Sequence, residues 1–233
     1  MQELIEAGLR EMDLSPAPGA ALAQYGRLLL EQNQVMNLTA ITDPVAVAQL
    51  HMLDSAALLH TADFAHKSVL DVGTGAGFPG LVLKLCQPDI QLTLLDSLDK
   101  RVQWLAQITP ALGTADVTCI HGRAEELALQ SAYREQYDIV TSRAVADLRV
   151  LAELCLPFLR VGGVFLAMKG PDSAPEVDRA SRAISVLGGR FQTAYTYQIP
   201  GTDVTHKVIR VEKVRPTPER YPRRFAKIKK DPL

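Results

Sequence analysis

The 233-residue chain contains only three cysteines, Cys86, Cys119 and Cys155, isolated from one another and set in apolar segments. No C-x-x-C spacing occurs, which removes the usual zinc and dithiol signatures and predicts reduced core thiols and no metal. No stretch reaches about 18 consecutive apolar residues, so no membrane-spanning helix is expected. Met1 to Glu6 lacks the basic and apolar regions of a secretory leader, and a cytoplasmic protein is expected. Without export, the sequon Asn37-Leu38-Thr39 has no consequence. Internal repeats and long linkers are missing too, and 47% hydrophobic content supplies the core of one α/β domain.

What is present is concentrated between Ser68 and Leu85. The apolar run Ser68-Val69-Leu70 leads into Asp71, then Gly73, Gly75, Gly77, Phe78, Pro79 and Gly80, then the helix-like Leu81 to Leu85. Alternate glycines let a backbone turn sharply and approach a ligand, while N–H groups at the next helix start form a polar cradle. Gly75 to Gly80 satisfies G-x-G-x-x-G, so a dinucleotide must be weighed. A carboxylate before the loop serves a pyrophosphate poorly. S-adenosylmethionine instead carries an ammonium and a sulfonium and has no phosphate, so Asp71 favours it. Leu92 to Asp96 reads as the next strand, ending in an acid where the ribose hydroxyls of an adenosine cofactor bind. The competing reading is local: Asp71 caps the loop and Asp96 caps the next helix.

Apolar spacing predicts two short N-terminal helices, through Leu4 to Met12 and Leu22 to Gln32, and a third from the Asp43-Pro44 cap to His60. Strands are predicted near 68–72, 90–96, 115–121, 137–141 and 162–168. Helices are predicted near 80–87, 99–112, 123–129, 147–160 and 174–187, with an edge hairpin at 190–199 and 204–214. The alternation is that of a doubly wound, mostly parallel sheet. One compact unit is expected: a helical cap over 1–62, a Rossmann-like core over 63–214 and a basic tail over 215–233.

Ligands of such sheets bind at the carboxyl ends of the strands. After the third strand, the Ala124 backbone and the Glu125 side chain could read an adenine edge, with helix capping as the plain alternative. After the fourth, Arg143 could form a bidentate pair with a cofactor carboxylate or a phosphate. Lys169, after the fifth, joins the same rim. The loop Ser142-Arg143-Ala144-Val145 is unlike the Asn/Asp-Pro-Pro-aromatic loop of exocyclic amine methylation, and Cys119 and Cys155 are badly placed for a thiolate nucleophile. An atom with a ready lone pair, such as guanine N7, needs neither a base nor a nucleophile from the protein.

Charge is unevenly spread. From Lys207 onward ten basic residues face three acidic ones, a balance of +7, while the preceding residues carry fifteen basic and twenty-three acidic groups, or −8. Arg220, Tyr221, Arg223, Arg224, Phe225, Lys227, Lys229 and Lys230 interleave cations with aromatics, a pattern suited to phosphates and unstacked bases. A merely solvated terminus is the alternative.

Taken in order, Asn37-Leu38-Thr39, His51 with Leu53-Asp54-Ser55, Asp71 to Gly80, Leu94 to Ser97 with Lys100-Arg101, Arg123-Ala124-Glu125, Ser142-Arg143-Ala144 and Met168-Lys169-Gly170 resemble the bacterial GidB/RsmG family over nearly the whole chain. That resemblance implies a class I methyltransferase that uses S-adenosylmethionine to methylate N7 of a guanine in 16S rRNA near the decoding site. It also implies cofactor contacts at Gly73, Phe78, Ala124, Glu125 and Arg143, to which the residue reading adds Asp71, Gly75, Gly77 and Asp96. Arg143 and Lys169 are expected to position the substrate, with the tail cations and Tyr221 on RNA. A monomer acting on 16S rRNA or the small subunit is expected. A non-catalytic RNA-binding or assembly protein, and a nucleotide-dependent oxidoreductase, are the alternatives.

Overall fold

Five strands lie parallel: β1 (Ser68–Val72), β2 (Gln91–Asp96), β3 (Val117–His121), β4 (Tyr137–Arg143) and β5 (Leu159–Lys169). Two more, β6 (Gly189–Gln198) and β7 (Thr205–Lys213), form a hairpin whose β7 runs antiparallel to β5. The computed structural model describes residues 1–143 and 146–233, in which these strands make one sheet ordered β3-β2-β1-β4-β5-β7-β6. The order reverses between β1 and β4, which opens a crevice at their carboxyl ends.

Period-two patterning sends alternate side chains to opposite faces. Val69, Leu92, Leu94, Ile139, Leu166 and Val208 meet the helices Gly80–Cys86 and Asp99–Ala111 and the N-terminal helices Gln2–Glu11 and Gly19–Met36. Leu70, Leu95, Val140, Phe165, Ile209 and Val211 face the helices Leu148–Cys155 and Ala174–Val186. Ile5, Leu9, Leu22 and Leu29 are fully buried in the first of these cores, each stabilising the packed cap by about 1.5–3 kcal/mol.

Three local departures bear on the site. The helical run from Asp43 onward changes pitch, α-helical over Pro44–Val47, π over Ala48–Leu53, α over Asp54–Ala56 and 3-10 over Ala57–His60. Single π turns gather at functional positions, and this one carries Leu50 and His51. The helix expected to reach 160 stops at Cys155, because Pro157 supplies no N–H, and β5 then starts at Leu159. The tail is ordered rather than a loose stripe, with a helix Phe225–Lys230 packed through the fully buried Ile228.

Candidate active site

The loop after β1 crosses the open end of the sheet. Gly73 and Thr74 donate their N–H groups to the Leu95 carbonyl, and Gly73, Gly75 and Gly77 hold φ of 69°, 60° and 95°. A Cβ on Gly75 would meet nothing within 4 Å, so that position faces open space. A Cβ on Gly77 would instead strike Tyr25 and Leu105, so this glycine admits the N-terminal cap and not a ligand.

That open space is a cavity of about 500 Å³ bounded by Thr39, His51, Gly73 to Ala76, Phe78, Asp96 to Leu98 and Arg143. A second cavity of about 220 Å³ adjoins it through Gly73, Asp96 and Ser97 and extends past Gly122 to Glu125, Leu154 and Phe225. Asp96 stands between the two. Its Oδ2 accepts from the Gly75 N–H at 2.8 Å, its Oδ1 accepts from the Leu98 N–H at 2.9 Å, and Arg101 lies 3.6 Å away.

Asp71 is placed differently from the expectation that it meets a ligand's positive charge. It is fully buried, with Oδ2 accepting from Thr74 and from the Gly80 N–H at 2.6 and 2.9 Å and Oδ1 accepting from Thr141 at 3.2 Å. Its role is to tie the loop to β4 and the following helix. Burial outweighs these bonds and raises its pKa to about 6.

Arg143 is the hub of the opposite wall. It donates to the Leu50 carbonyl at 3.1 Å, to His51 Nδ1 at 2.9 Å and to Asp54 at 3.4 Å, and its guanidinium lies 4.8 Å above the Phe78 ring centre. Phe78 is stacked between Tyr25 and His51, with centroids at 5.1 and 4.5 Å, while the Tyr25 hydroxyl donates to the Ala76 carbonyl. Burial, then the Arg143 charge, lowers the His51 pKa to about 4, so the ring is neutral. Asp54, almost wholly buried, also accepts from the Tyr197 hydroxyl at 2.6 Å and pairs with His206 Nδ1 at 2.8 Å.

Other expected site residues divide. Gly73, Gly75, Phe78, Asp96, Ala124, Glu125 and Arg143 line the two joined cavities, whereas Asp71 and Gly77 do not. Glu125 is bound by its neighbour Arg123 at 2.6 Å, and Arg123 also covers the Phe225 ring. Lys169 is held by Glu176 at 2.7 Å and by the Ala146 carbonyl at 2.5 Å, which leaves it a wall element rather than a mobile cation. Ala144 lies outside the described residues.

In the tail, Tyr221 is buried, and Arg223 makes a bidentate pair with the fully buried Glu153 at 2.6 to 3.2 Å. These two, expected on RNA, point inward: Tyr221 joins the apolar core, and Arg223 compensates the buried charge of Glu153. Arg220 lies over the Tyr221 ring and Lys227 pairs with Asp231, while Arg224, Lys229 and Lys230 are exposed. Thr39 and Asp54 stand in motifs of the family resemblance that assigned them no role, and Tyr197 and His206 carried no sequence signal of their own. Of the thiols expected in the core, Cys155 is buried and Cys86 and Cys119 are half-buried, with burial raising the latter two to about 12 and 11. Among the described residues no cluster of three metal-ligating side chains occurs, and no helix is long and apolar enough to cross a membrane.

The family model for rRNA small subunit methyltransferase G (GidB) matches residues 19–200. The chain belongs to that family. A ribosomal RNA small subunit methyltransferase G from Alkaliphilus metalliredigens is 45% identical over 213 residues, covering 91% of this chain and 89% of the relative. The corresponding protein of Alkaliphilus oremlandii is 41% identical and covers 100% and 99% of the two chains. Solved structures share the fold: TrmN from Thermus thermophilus (TM-score 0.53, 20% identity, 69% of this chain and 48% of that one) and M. jannaschii TYW2 in complex with AdoMet (0.55, 13%, 69% and 75%). With membership of the methyltransferase G family, the oxidoreductase alternative falls.

Proposed function

We propose that this protein transfers a methyl group from S-adenosylmethionine to N7 of a guanine in 16S rRNA. The observation that carries the cofactor assignment is the cradle at Gly75, a left-handed glycine whose Cβ would enter a cavity continuous, through Asp96, with a second one. The ligand class that fits is an adenosine with a short zwitterionic arm. Asp96 offers its carboxylate at the junction, Gly73 and Phe78 with Arg143 border one end, and Ala124 with Glu125 borders the other.

When bound, the cofactor supplies an electrophilic methyl group on a sulfonium. Attack by the N7 lone pair would form the N–C bond as the S–C pair stayed on sulfur, so one positive charge would pass to the base and no proton transfer would be asked of the protein. Accordingly the protein's residues position and shield rather than exchange protons. His51 is neutral, and the fixed Arg143 cation is balanced from behind by Asp54. The exposed Arg224, Lys229 and Lys230 would steer RNA by charge.

The test is transfer of labelled methyl from S-adenosylmethionine to small-subunit RNA, with the modified atom mapped, alongside binding of S-adenosylhomocysteine and NAD. Label at a guanine N7 is the expected result. Tighter binding of NAD, or cofactor binding without transfer to any small-subunit RNA, would sink the reading.

A further inference from the structure

We infer that the acceptor base is received in a separate cavity of about 410 Å³, between the aliphatic walls Ile41, Leu50, Met168 and Val204, with His206 as the group that meets its polar edge. This rests on the methyltransferase reading above.

In-line transfer requires the acceptor atom within about 3–3.5 Å of the methyl carbon, so the base must enter a space that shares a wall with the cofactor's. His51 and Arg143 line both this cavity and the 500 Å³ one. The 220 Å³ cavity is the cofactor cavity's own continuation beyond Asp96. The clefts beside the tail and beneath Phe64 share no residue with the 500 Å³ cavity. The acceptor cavity also opens at the carboxyl end of β5, through Met168, on the far side of Arg143 from the glycine loop.

Its chemistry suits a purine taken out of the RNA stack. Aliphatic walls accept a flat ring, and methyltransferases acting on bases commonly extrude them into such pockets. Two polar side chains on its border are already committed: Lys169 to Glu176 and Ala146, and Asp54 to Arg143, Tyr197 and His206. His206 is different. Its Nδ1 is held by Asp54 at 2.8 Å, while its Nε2 has no partner among the described residues. With Nδ1–H donated to Asp54, Nε2 is an acceptor in the neutral ring and a donor in the protonated ring, the form that the hydrogen bond to Asp54 favours by raising the pKa. In the protonated ring the Nε2–H complements the O6 acceptor beside N7 of guanine and opposes the N6 amine that adenine presents there.

The experiment uses full-length Val204→Trp and, on the other wall, Ile41→Trp to fill the cavity, and His206→Phe to keep ring bulk without the donor. S-adenosylhomocysteine affinity, melting temperature and methyl transfer to a small-subunit RNA transcript are measured for each. Cofactor affinity should stay near wild type. Transfer should fall at least about 100-fold for a Trp variant that melts like wild type, since misplacement of about 1 Å has that effect. His206→Phe should lose about 5- to 100-fold and discriminate less against adenine placed at the target position. Wild-type transfer by both folded Trp variants would overturn the inference. So would loss of S-adenosylhomocysteine binding in them, which would give the cavity to the cofactor. Absence of transfer by the unaltered protein would instead bring down the functional reading, and this one with it.

Discussion

Arg143 donates through Nη2 to His51 Nδ1 at 2.9 Å, and because a guanidinium only donates, the proton of the neutral His51 ring must sit on Nε2. That nitrogen lies 2.8 Å from the Thr39 hydroxyl, which therefore accepts from it and, at 3.1 Å, from the Ile41 N–H. The single hydroxyl hydrogen of Thr39 is left for other acceptors, on the border of the 500 Å³ cavity.

The neutral His51 and the buried Asp71 should pull acid stability in opposite directions. His51 is lowered from 6.5 to about 4, so between those values the unfolded chain binds a proton the native ring refuses, and stability falls as pH falls. Asp71 is raised from 3.8 to about 6, so the native carboxyl is protonated first and stability rises over nearly the same range. Each slope is at most about 1.4 kcal/mol per pH unit. Urea midpoints from pH 4 to 7 should change little from these two groups in the wild type, rise on acidification in His51→Gln and fall more steeply in Asp71→Asn. Parallel profiles for all three proteins would contradict this.

Arg143→Ala should damage both fold and chemistry, since it strips a cation from the buried Asp54. Removing one member of a buried pair costs about 3–5 kcal/mol, with the low end expected here because His206 and Tyr197 remain. Arg143→Lys should recover part of the melting temperature and little of kcat, as an ammonium cannot serve Leu50, His51 and the Phe78 face together. Equal recovery of both would mean that charge alone matters.

The two glycines of the loop should separate binding from folding. Gly75→Ala costs about 1–2 kcal/mol for its left-handed backbone but clashes with nothing, so the protein should fold and bind S-adenosylhomocysteine at least about tenfold more weakly. Gly77→Ala should lower the melting temperature further by displacing Tyr25 and Leu105. Calorimetry on Gly75→Ala showing wild-type affinity would refute the cradle.

In the tail, charge and structure can be tested apart. Replacing Arg224, Lys229 and Lys230 by Gln should leave melting unchanged and make the dependence of log affinity for RNA on log salt shallower, by about 0.7 to 0.9 per lost phosphate contact. Arg223→Ala should do the reverse, destabilising by about 3–5 kcal/mol because Glu153 is left buried and unpaired. An unaltered salt slope in the triple variant would move the RNA surface elsewhere.

Alternating strands, the glycine loop and the acid at the end of β2 were legible because their signals are local: period two, glycine at fixed intervals and an acid at a strand end. Asp71 was read as ligand-facing because sequence shows a carboxylate beside a loop, not that Thr74, Gly80 and Thr141 saturate it. The inward turn of Arg223 depends on Glu153, 70 residues away, and that of Tyr221 on an apolar core assembled from distant segments. Asp54 meets Tyr197 and His206 across separations of 143 and 152 residues, and periodicity carries no trace of such a meeting. The π turn that presents Leu50 and His51 has no composition of its own.

Phe78 rests on Tyr25, and Phe225 lines the far cavity, so an N-terminal helix and the helix Phe225–Lys230 bear on the same joined cavities. A nascent or clipped protein lacking either end would hold the glycine loop and most of the sheet, yet its cavity would lie open on one side. Competence to bind should thus depend on both contacts, and displacing the helix Phe225–Lys230 should weaken S-adenosylhomocysteine binding.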